Sequence, residues 1–409
     1  MSEQDTDGGI QRLNLNLASA RPSATYGIMD RVAQRRAAGA TIISLCAGEP
    51  DFDTPAHIRD AAKQAIDQGH TRYTQVAGSR PLREAVAAKF RHENGLQVEW
   101  QDTLVGSGGK QVIYNALAAT LNAGDEVIVP APYWVSYPEM VQLCGARSVI
   151  VTCKASSGFK LTPEALGTAI TPRTRWLILN SPSNPTGAVY SREELQALAE
   201  VLLANPHVLI LADDIYEHLI FDDQAFHTLA QVEPRLATRT LTMNGVSKAY
   251  AMTGWRIGFA TGPRWLLEAM EKLQGQQTSG ASSISQQAAL AALEGPKDFI
   301  RESRAAFQGR RDLMVELLNA TPGLECVSPA GAFYAFASCA GLIGRTSAGG
   351  RALLSDEDVA HALLDEANVA VVHGSAFGLG PYIRIAYALD NASLRKACEA
   401  ISTFCSALR

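Results

Sequence analysis

The chain has 409 residues, 47% of them hydrophobic, and a formal net charge of -5, with 36 lysines and arginines against 41 acidic residues. This length predicts two or three structural units and a core large enough to need no disulfide or metal. A negative charge without basic blocks argues against a nucleic-acid-binding protein. No apolar run approaches the roughly 18 residues that a membrane span requires, so we expect no contact with a membrane.

The N-terminal residues and the cysteines indicate the cellular compartment in which the protein is expected. Residues 1–9, with the sequence MSEQDTDGG, are predicted to be a disordered tail, and they are acidic where a signal peptide is basic and apolar. The seven cysteines are scattered and include no C-x-x-C pair. They therefore predict neither a disulfide framework nor a zinc site, and they favour a reducing cytoplasm.

Five short apolar runs between residues 103 and 212 have the composition of buried β-strands. These runs are Thr103–Gly106, Glu126–Val129, Ser148–Thr152, Arg175–Asn180 and Val208–Ala212. Strands that are apolar along their whole length are typical of a parallel sheet covered on both faces. Helix signals lie between them, such as the capping box at Ser191–Glu194 and the Thr162-Pro163 start. This alternation predicts an α/β fold.

The pattern changes after about residue 300. A long helical stretch is predicted over 298–319, and short strands follow near Ala332–Ala337, Val369–Val372 and Tyr382–Tyr387. Further helical patterns lie between the first two of these strands and at the end of the chain. These features predict a smaller α+β unit.

The first strand is followed by a small-residue loop, Gly106-Ser-Gly-Gly-Lys110, that opens a helix. Backbone N–H groups at such a helix start bind anions, although an ordinary strand–helix turn has the same composition. A Walker A motif needs Ser or Thr after the lysine, and the dinucleotide motif needs glycine at position 111, where this chain has Gln111. The loop is therefore neither of these two motifs.

Polar side chains follow two other strands of the predicted sheet, and a later segment carries two cations. Asn184 lies on a loop stiffened by two prolines, and Asp213 and Tyr216 follow the next strand. Lys248 and Arg256 lie in a segment of otherwise small and apolar residues. Each residue alone has an ordinary explanation, as a loop residue, a helix cap or a surface cation. Because ligands of open parallel sheets bind at the carboxyl ends of the strands, the four pieces together predict a binding site.

This set of groups matches the requirements of pyridoxal phosphate. That cofactor needs a lysine to form a Schiff base and an acidic partner for its pyridine nitrogen, and its phosphate needs anion-binding groups.

The chain resembles a class I (fold type I) pyridoxal-phosphate-dependent aminotransferase, in the branch of the bacterial aspartate and prephenate aminotransferases, from about Pro22 to the last helix. The segments that carry the resemblance are Ala47–Pro55, Gly108–Lys110, Pro132–Pro138, Ser183–Gly187, Asp213–Tyr216, Ser247–Arg256 and Tyr382–Arg384. It implies a large domain with a mostly parallel seven-stranded sheet sandwiched by helices, and a smaller α+β domain. We expect residues 51–309 to form the large domain and both chain ends, 10–50 and 310–409, to form the small one.

The resemblance implies roles around the cofactor ring. Lys248 forms the Schiff base and later moves the proton of the substrate Cα. Asp213 pairs with the pyridine nitrogen, Tyr216 and Asn184 hydrogen-bond the phenolic oxygen, and Trp134 stacks on the ring.

It also implies a phosphate site. Arg256 and the backbone of Gly108 and Gly109 hold the phosphate, together with Tyr73 from the other subunit of a homodimer. The family has a serine three residues before the catalytic lysine, and this chain has Gly245 there. We therefore expect one phosphate contact to be missing.

The substrate contacts follow from the same resemblance. Arg384 binds the α-carboxylate, helped by the backbone of Gly48, and Trp134 and Asn184 also border the substrate. Lys110 meets the distal carboxylate of aspartate or glutamate, with Ser23 and Thr25 assisting. Arg21 stands where this branch carries a lysine linked to prephenate use, so prephenate activity is in doubt.

The predicted activity is therefore transfer of the amino group of an acidic L-amino acid, L-aspartate first, to a 2-oxo acid, 2-oxoglutarate first. Aromatic, prephenate or aspartate–glyoxylate transamination and a lyase reaction are the alternatives on the same scaffold. A transcriptional regulator is disfavoured because only about 20 residues precede Pro22, and a nicotinamide dehydrogenase because it would give Lys248 and Arg256 no role.

Overall fold

The protein is described here from a computed structural model that covers residues 14–20 and 24–409. The predicted disordered tail over residues 1–9 lies outside the described residues, as do Arg21 and Ser23. Among the described residues, no helix is both long enough and apolar enough to cross a membrane.

A seven-stranded sheet forms the centre of the larger part of the molecule. The strands are β2 (Thr103–Gly106), β3 (Glu126–Ala131), β4 (Arg147–Thr152), β5 (Thr174–Asn180), β6 (Leu209–Asp213), β7 (Thr240–Gly245) and β8 (Gly258–Thr261). Their order across the sheet is β2-β8-β7-β6-β5-β3-β4. The five strands from β7 to β4 pair in parallel, whereas β8 is antiparallel to both β2 and β7. The prediction of a mostly parallel seven-stranded sheet is confirmed.

Helices cover both faces of this sheet, so strands such as β2, β5 and β7 are buried along almost their whole length, whereas the edge strand β4 is partly exposed. The predicted capping box is present at Ser191, whose hydroxyl accepts from Glu194 N while the Glu194 carboxylate accepts from Ser191 N. Thr162 likewise caps the helix that begins at Pro163. The helices are Leu15–Ser19, Ala24–Ala37, Ala56–Asp67, Arg80–Asn94, Gly109–Thr120, Ser136–Leu143, Pro163–Ala169, Arg192–Leu203, Leu229–Val232, Arg264–Gln277, Ser283–Glu294, Asp298–Asn319, Asp356–Ala367 and Asn391–Ser406.

The rest of the chain builds a smaller four-stranded sheet and a separate two-stranded pair. These strands are β1 (Ile43–Ser44), β9 (Glu325–Cys326), β10 (Tyr334–Ser338), β11 (Val369–Ala370), β12 (Val372–His373) and β13 (Tyr382–Ala386). The four-stranded sheet has the order β12-β13-β10-β9, and β1 pairs in parallel with β11, which joins an early segment of the chain to a late one. An apolar core containing Leu45, Phe333, Leu363 and Ile401 fills the space beneath these strands.

One predicted strand was wrong in detail. The run Val369–Val372 is divided into two strands that belong to different sheets, because β11 pairs with β1 while β12 pairs with β13. The long helix predicted over 298–319 is present as Asp298–Asn319. It runs without interruption through the domain boundary that we predict at 309/310, and that boundary, like the one at 50/51, stays a prediction.

Candidate active site

A cavity of about 600 Å³ lies at the carboxyl ends of the parallel strands β5, β6 and β7. Ten of the residues predicted from the sequence line it, and they come from both sheets and from loops between them. These residues are Gly48, Gly109, Lys110, Trp134, Asn184, Asp213, Tyr216, Lys248, Arg256 and Arg384. Thr25 also lines the cavity, from the helix Ala24–Ala37. The fold therefore brings together, in one cavity, most of the residues that the sequence predicts for the site.

Lys248 lies shortly after strand β7, and its ammonium group points toward Gly48. Its Nζ donates a hydrogen bond to the carbonyl oxygen of Gly48. The pKa of Lys248 is lowered to about 8, chiefly by burial; the Glu49 carboxylate opposes that shift, and the guanidinium groups of Arg256 and Arg384 contribute to it. An amine with this pKa is partly neutral near physiological pH, so it can act as a nucleophile and as a base.

Asp213 is the last residue of β6, and its side chain is almost completely buried. Its Oδ2 accepts a hydrogen bond from the hydroxyl of Tyr137 at 2.5 Å, and its Oδ1 accepts one from the backbone of Ile215 at 3.3 Å. Burial raises the pKa of Asp213 to about 6, and the Tyr137 hydrogen bond opposes that rise. The carboxylate is therefore available as a buried anion above about pH 6.

Two tyrosines in this network were missed by the sequence reasoning. Tyr137 holds Asp213, and the Tyr334 hydroxyl forms a hydrogen bond of 2.7 Å with the hydroxyl of Tyr216. The available signal for Tyr137 was its position three residues after the predicted site residue Trp134, at the start of the helix Ser136–Leu143. No comparable signal marks Tyr334, which lies in an apolar strand and is brought in by the pairing of β10 with β13.

Arg384 lies on β13 and is 3% exposed. It donates from Nη2 to the carbonyl oxygen of Cys46 at 2.6 Å and from Nη1 to Asn184 Oδ1 at 3.1 Å. The guanidinium carbon lies 4.8 Å from the ring centre of Tyr334 and 4.9 Å from that of Phe377. Its Nε is buried without a hydrogen-bond partner among the described residues. A buried cation with an unsatisfied donor is a site for an anion.

Arg256, which also lines the cavity, lies against the glycine loop. Gly108 has a φ of +89°, and a Cβ there would lie 2.3 Å from Arg256 Nη2. A Cβ on Gly258 would lie 2.3 Å from the backbone nitrogen of Gly109, the first residue of the helix Gly109–Thr120. Only glycine fits at these positions. They let a guanidinium group and the free N–H groups of a helix start lie together, an arrangement that binds phosphate.

The position of Gly245 explains the missing family serine. A Cβ at Gly245 would lie 2.9 Å from the carbonyl oxygen of Ile257 and 3.1 Å from the Cα of Gly258. Because these two neighbours are backbone atoms and the Ile215 side chain lies 3.1 Å away, a serine does not fit here without displacing them.

Lys110 lines the cavity, whereas Tyr73 does not. The Nζ of Lys110 lies 4.8 Å from the ring centre of Trp134, and burial, with help from Arg256, lowers the pKa of Lys110. Tyr73 is 92% exposed and is not among the residues that line the cavity within this single chain.

The described residues contain one group with the ligand types of a metal site, Glu93, Glu217 and His218, outside the cavity. The ammonium group of Lys89 already lies against Glu217 and is 3.6 Å from Glu93 Oε2. His218 contacts Glu93 at 3.1 Å.

Comparison with known proteins agrees with this geometry. The sequence model of the family described as aminotransferase class I and II matches residues 40–401. The aspartate/prephenate aminotransferase of Cereibacter sphaeroides is 56% identical over 97% of this chain and 99% of its own length. The crystal structure of the aspartate aminotransferase from Rhizobium meliloti superposes with a TM-score of 0.95, at 51% identity, covering 97% of this chain and all of that one.

A second solved structure is more distant. The aspartate aminotransferase from Thermus thermophilus with maleate has a TM-score of 0.90 and 42% identity, covering 96% of this chain and 99% of that one. The family match and both likenesses extend over nearly the whole chain, so this protein belongs to the class I and II aminotransferases.

Proposed function

We propose that the protein transfers the amino group of an acidic L-amino acid, L-aspartate first, to a 2-oxo acid, 2-oxoglutarate first, by a ping-pong reaction that uses pyridoxal phosphate. One observation carries the proposal. A buried lysine with a lowered pKa shares one cavity with two guanidinium groups, Arg256 and Arg384, and with the acid Asp213. Amine, acid and two anion sites are the groups that this reaction needs.

The residues present fit pyridoxal phosphate. The glycine cradle beside Arg256 suits a phosphate, because a side chain at Gly108 or Gly258 would fill it. Asp213, ionised above about pH 6, suits a protonated pyridine nitrogen, and Trp134 offers an aromatic face at the cavity wall. When bound, the pyridine ring of the cofactor withdraws electrons from the bonds of a substrate amine joined to it.

Lys248 moves the proton. Its amine would hold the cofactor covalently, and the free neutral amine would accept the proton of the substrate Cα. The hydrogen bond from Nζ to the Gly48 carbonyl keeps the side chain extended across the cavity. Because burial favours the neutral form, little free energy is needed to free the amine of its proton near neutral pH.

Tyr216 and Asn184 would hydrogen-bond the phenolic oxygen of the cofactor. Tyr216 Oη shares a hydrogen bond with Tyr334 Oη, so one of the two hydroxyl protons remains to be donated. Asn184 uses its Oδ1 on Arg384 and presents its amide nitrogen as a donor. Arg384, fixed by the Cys46 carbonyl, binds the substrate α-carboxylate together with the backbone of Gly48.

Lys110 selects for an acidic side chain. It lines the same cavity as Arg384, and Thr25 reaches the cavity from the N-terminal helix. A dicarboxylate would meet Arg384 with one end and Lys110 with the other. The Thermus thermophilus relative was solved with maleate, which carries two carboxylates, and this supports the assignment. Aspartate and 2-oxoglutarate share this charge pattern, so one site serves both halves of the reaction.

The active form is a homodimer in this proposal, with Tyr73 of a second copy reaching the phosphate. The side chain is 92% exposed in the single chain, which suits a residue that acts on a partner. We also propose a cytoplasmic location, which suits the seven free thiols.

An absorbance spectrum and half-reaction kinetics test the proposal. The purified protein should show the near-ultraviolet and visible absorbance of bound pyridoxal phosphate, and L-aspartate should change that spectrum in a single turnover. Lys248→Ala should abolish both the covalent link and turnover. Retained transamination in that variant would refute the assignment of the catalytic lysine.

Prephenate is a second candidate acceptor, because the Cereibacter sphaeroides relative at 56% identity is named for both substrates. The residue expected to bear on it, Arg21, lies outside the described residues. Measuring the second half-reaction with prephenate against 2-oxoglutarate decides between them.

A further inference from the structure

The hydrogen bond between Tyr137 and Asp213 joins two residues that are both almost fully buried, at 2% and 3% exposure. The Tyr137 hydroxyl donates to Asp213 Oδ2 at 2.5 Å, within the range of short hydrogen bonds from a hydroxyl to a carboxylate. The other oxygen, Oδ1, has only a long contact of 3.3 Å from the Ile215 backbone. One oxygen is thus firmly held, and the other retains capacity to accept.

Tyr137 lies in the first turn of the helix Ser136–Leu143, and its backbone N–H donates to the carbonyl oxygen of Trp134 at 3.0 Å. The two rings meet edge to face, with centres 5.3 Å apart and planes at 88°, and both line the cavity. This packing fixes the phenol ring and therefore the position of its hydroxyl. Burial and the nearby Asp213 carboxylate raise the pKa of Tyr137 well above its usual value, so the hydroxyl stays protonated and remains a donor at every pH at which the enzyme works.

We propose that Tyr137 is the positioning residue of Asp213: its hydroxyl fixes the orientation of the carboxylate and keeps it ionised for a ring nitrogen in the cavity. The inference rests on the proposed function, because it concerns the group that Asp213 pairs with. It assigns to Tyr137 an effect on cofactor binding that depends on pH, which a residue that only fills the core would not have.

Other titratable groups face Asp213 as well. Lys248 stabilises its negative charge from the cavity side, whereas Asp214 and Tyr216 lie close enough for the charge of Asp213 to raise their own pKa values. Among the side chains that lower the pKa of Asp213, Tyr137 has the largest effect, ahead of Lys248. Removing its hydroxyl therefore leaves burial less opposed, and the carboxylate is protonated at higher pH.

The test compares the cofactor-free wild type with Tyr137→Phe and with Tyr190→Phe. Tyr190 is a matched control, because it is also buried and its hydroxyl accepts from Leu161 N at 2.8 Å, but it does not line the cavity. The probe is pyridoxamine phosphate, which forms no Schiff base with Lys248. Its affinity is followed between pH 6 and pH 8.5 by tryptophan fluorescence.

Loss of one hydrogen bond to a carboxylate should move the pH at which affinity falls upward by roughly one to two pH units. Tyr137→Phe should then bind roughly five- to fiftyfold more weakly than wild type at pH 6 and within about twofold of it at pH 8.5. Tyr190→Phe should match wild type throughout. Ionisation of the ligand phosphate affects all three proteins alike and cancels in the ratios.

A ratio for Tyr137→Phe that is the same at every pH overturns the proposal, whether the ratio is large or one. If this variant does not fold, 3-fluorotyrosine at position 137 keeps the ring and the hydroxyl but donates more strongly. It should move the fall in affinity to lower pH, and an unmoved profile overturns the proposal. A wild type that binds no pyridoxamine phosphate at any pH instead refutes the proposed function itself.

Discussion

Replacing Lys110 by methionine tests how the enzyme recognises an acidic side chain. The change removes one positive charge from the cavity and keeps a long, flexible side chain beside Trp134. Two unit charges 4 Å apart interact by about 1 kcal/mol in water and about 4 kcal/mol near a protein surface. Lys110 lies at the exposed side of the cavity, so the lower half of that range applies. We expect a loss of about 1–2 kcal/mol, or roughly five- to thirtyfold in kcat/KM for aspartate.

The assay is the first half-reaction, measured with L-aspartate and with L-alanine for wild type and variant. Alanine has no distal carboxylate, so its kcat/KM should change by less than about twofold, and the aspartate effect should shrink at high salt. Lys154→Met, an exposed lysine outside the cavity, controls for the change in net charge. Equal losses for aspartate and alanine would show that Lys110 does not bind the distal carboxylate.

Three further predictions concern the rest of the site. Arg384→Lys keeps the charge but loses the forked guanidinium group held by the Cys46 carbonyl. It should lower kcat/KM about a hundred- to a thousandfold for aspartate and alanine alike. A loss for only one of the two substrates would contradict binding of the α-carboxylate by Arg384. Gly258→Ala should weaken cofactor binding more than about tenfold, since its Cβ meets the helix start at 2.3 Å, whereas Gly309→Ala, with open space around its Cβ, should bind normally. In the cofactor-free protein, the rate at which Lys248 reacts with an acylating reagent should rise with pH and level off above about pH 8. The reason is that its lowered pKa leaves the amine mostly neutral above that pH. A rate that still rises toward pH 10 would refute the lowered pKa.

The sequence predicted five of the seven strands of the large sheet because those strands carry their own signal, whereas β7 and β8 were not identified and the number seven was implied by the resemblance. Runs such as Thr174–Asn180 are buried almost throughout, and helix caps such as Ser191 are read from adjacent residues. Site residues at strand ends could be named for the same reason, with the resemblance supplying their roles. The division between β11 and β12 could not be predicted, because it depends on which distant strand each two-residue piece pairs with.

The two tyrosines that hydrogen-bond Asp213 and Tyr216 could not be predicted from the sequence for a similar reason. Whether Tyr137 and Tyr334 are core residues or parts of the site depends on an oxygen position set by several distant elements. Tyr334 reaches Tyr216 across 118 residues and Tyr137 reaches Asp213 across 76. The same holds for Gly245, where the sequence showed a missing serine and only the adjoining backbone shows why.

The net charge of -5 conceals the electrostatics of the cavity. Its charged lining consists of four cations, Lys110, Lys248, Arg256 and Arg384, and two acids, Glu49 and Asp213. In the proposed complex, Arg256 would be used by the phosphate, Arg384 by the α-carboxylate and Lys248 by its covalent link to the cofactor. Lys110 is the cation that remains, so the lining favours one more negative charge on the substrate. Its contact with the Trp134 ring gives the ammonium group a partner when that charge is absent. A substrate without a distal carboxylate therefore loses the attraction to Lys110 but does not leave an unpaired buried charge. For this reason we expect a preference for aspartate of about tenfold and not strict exclusion of apolar amino acids.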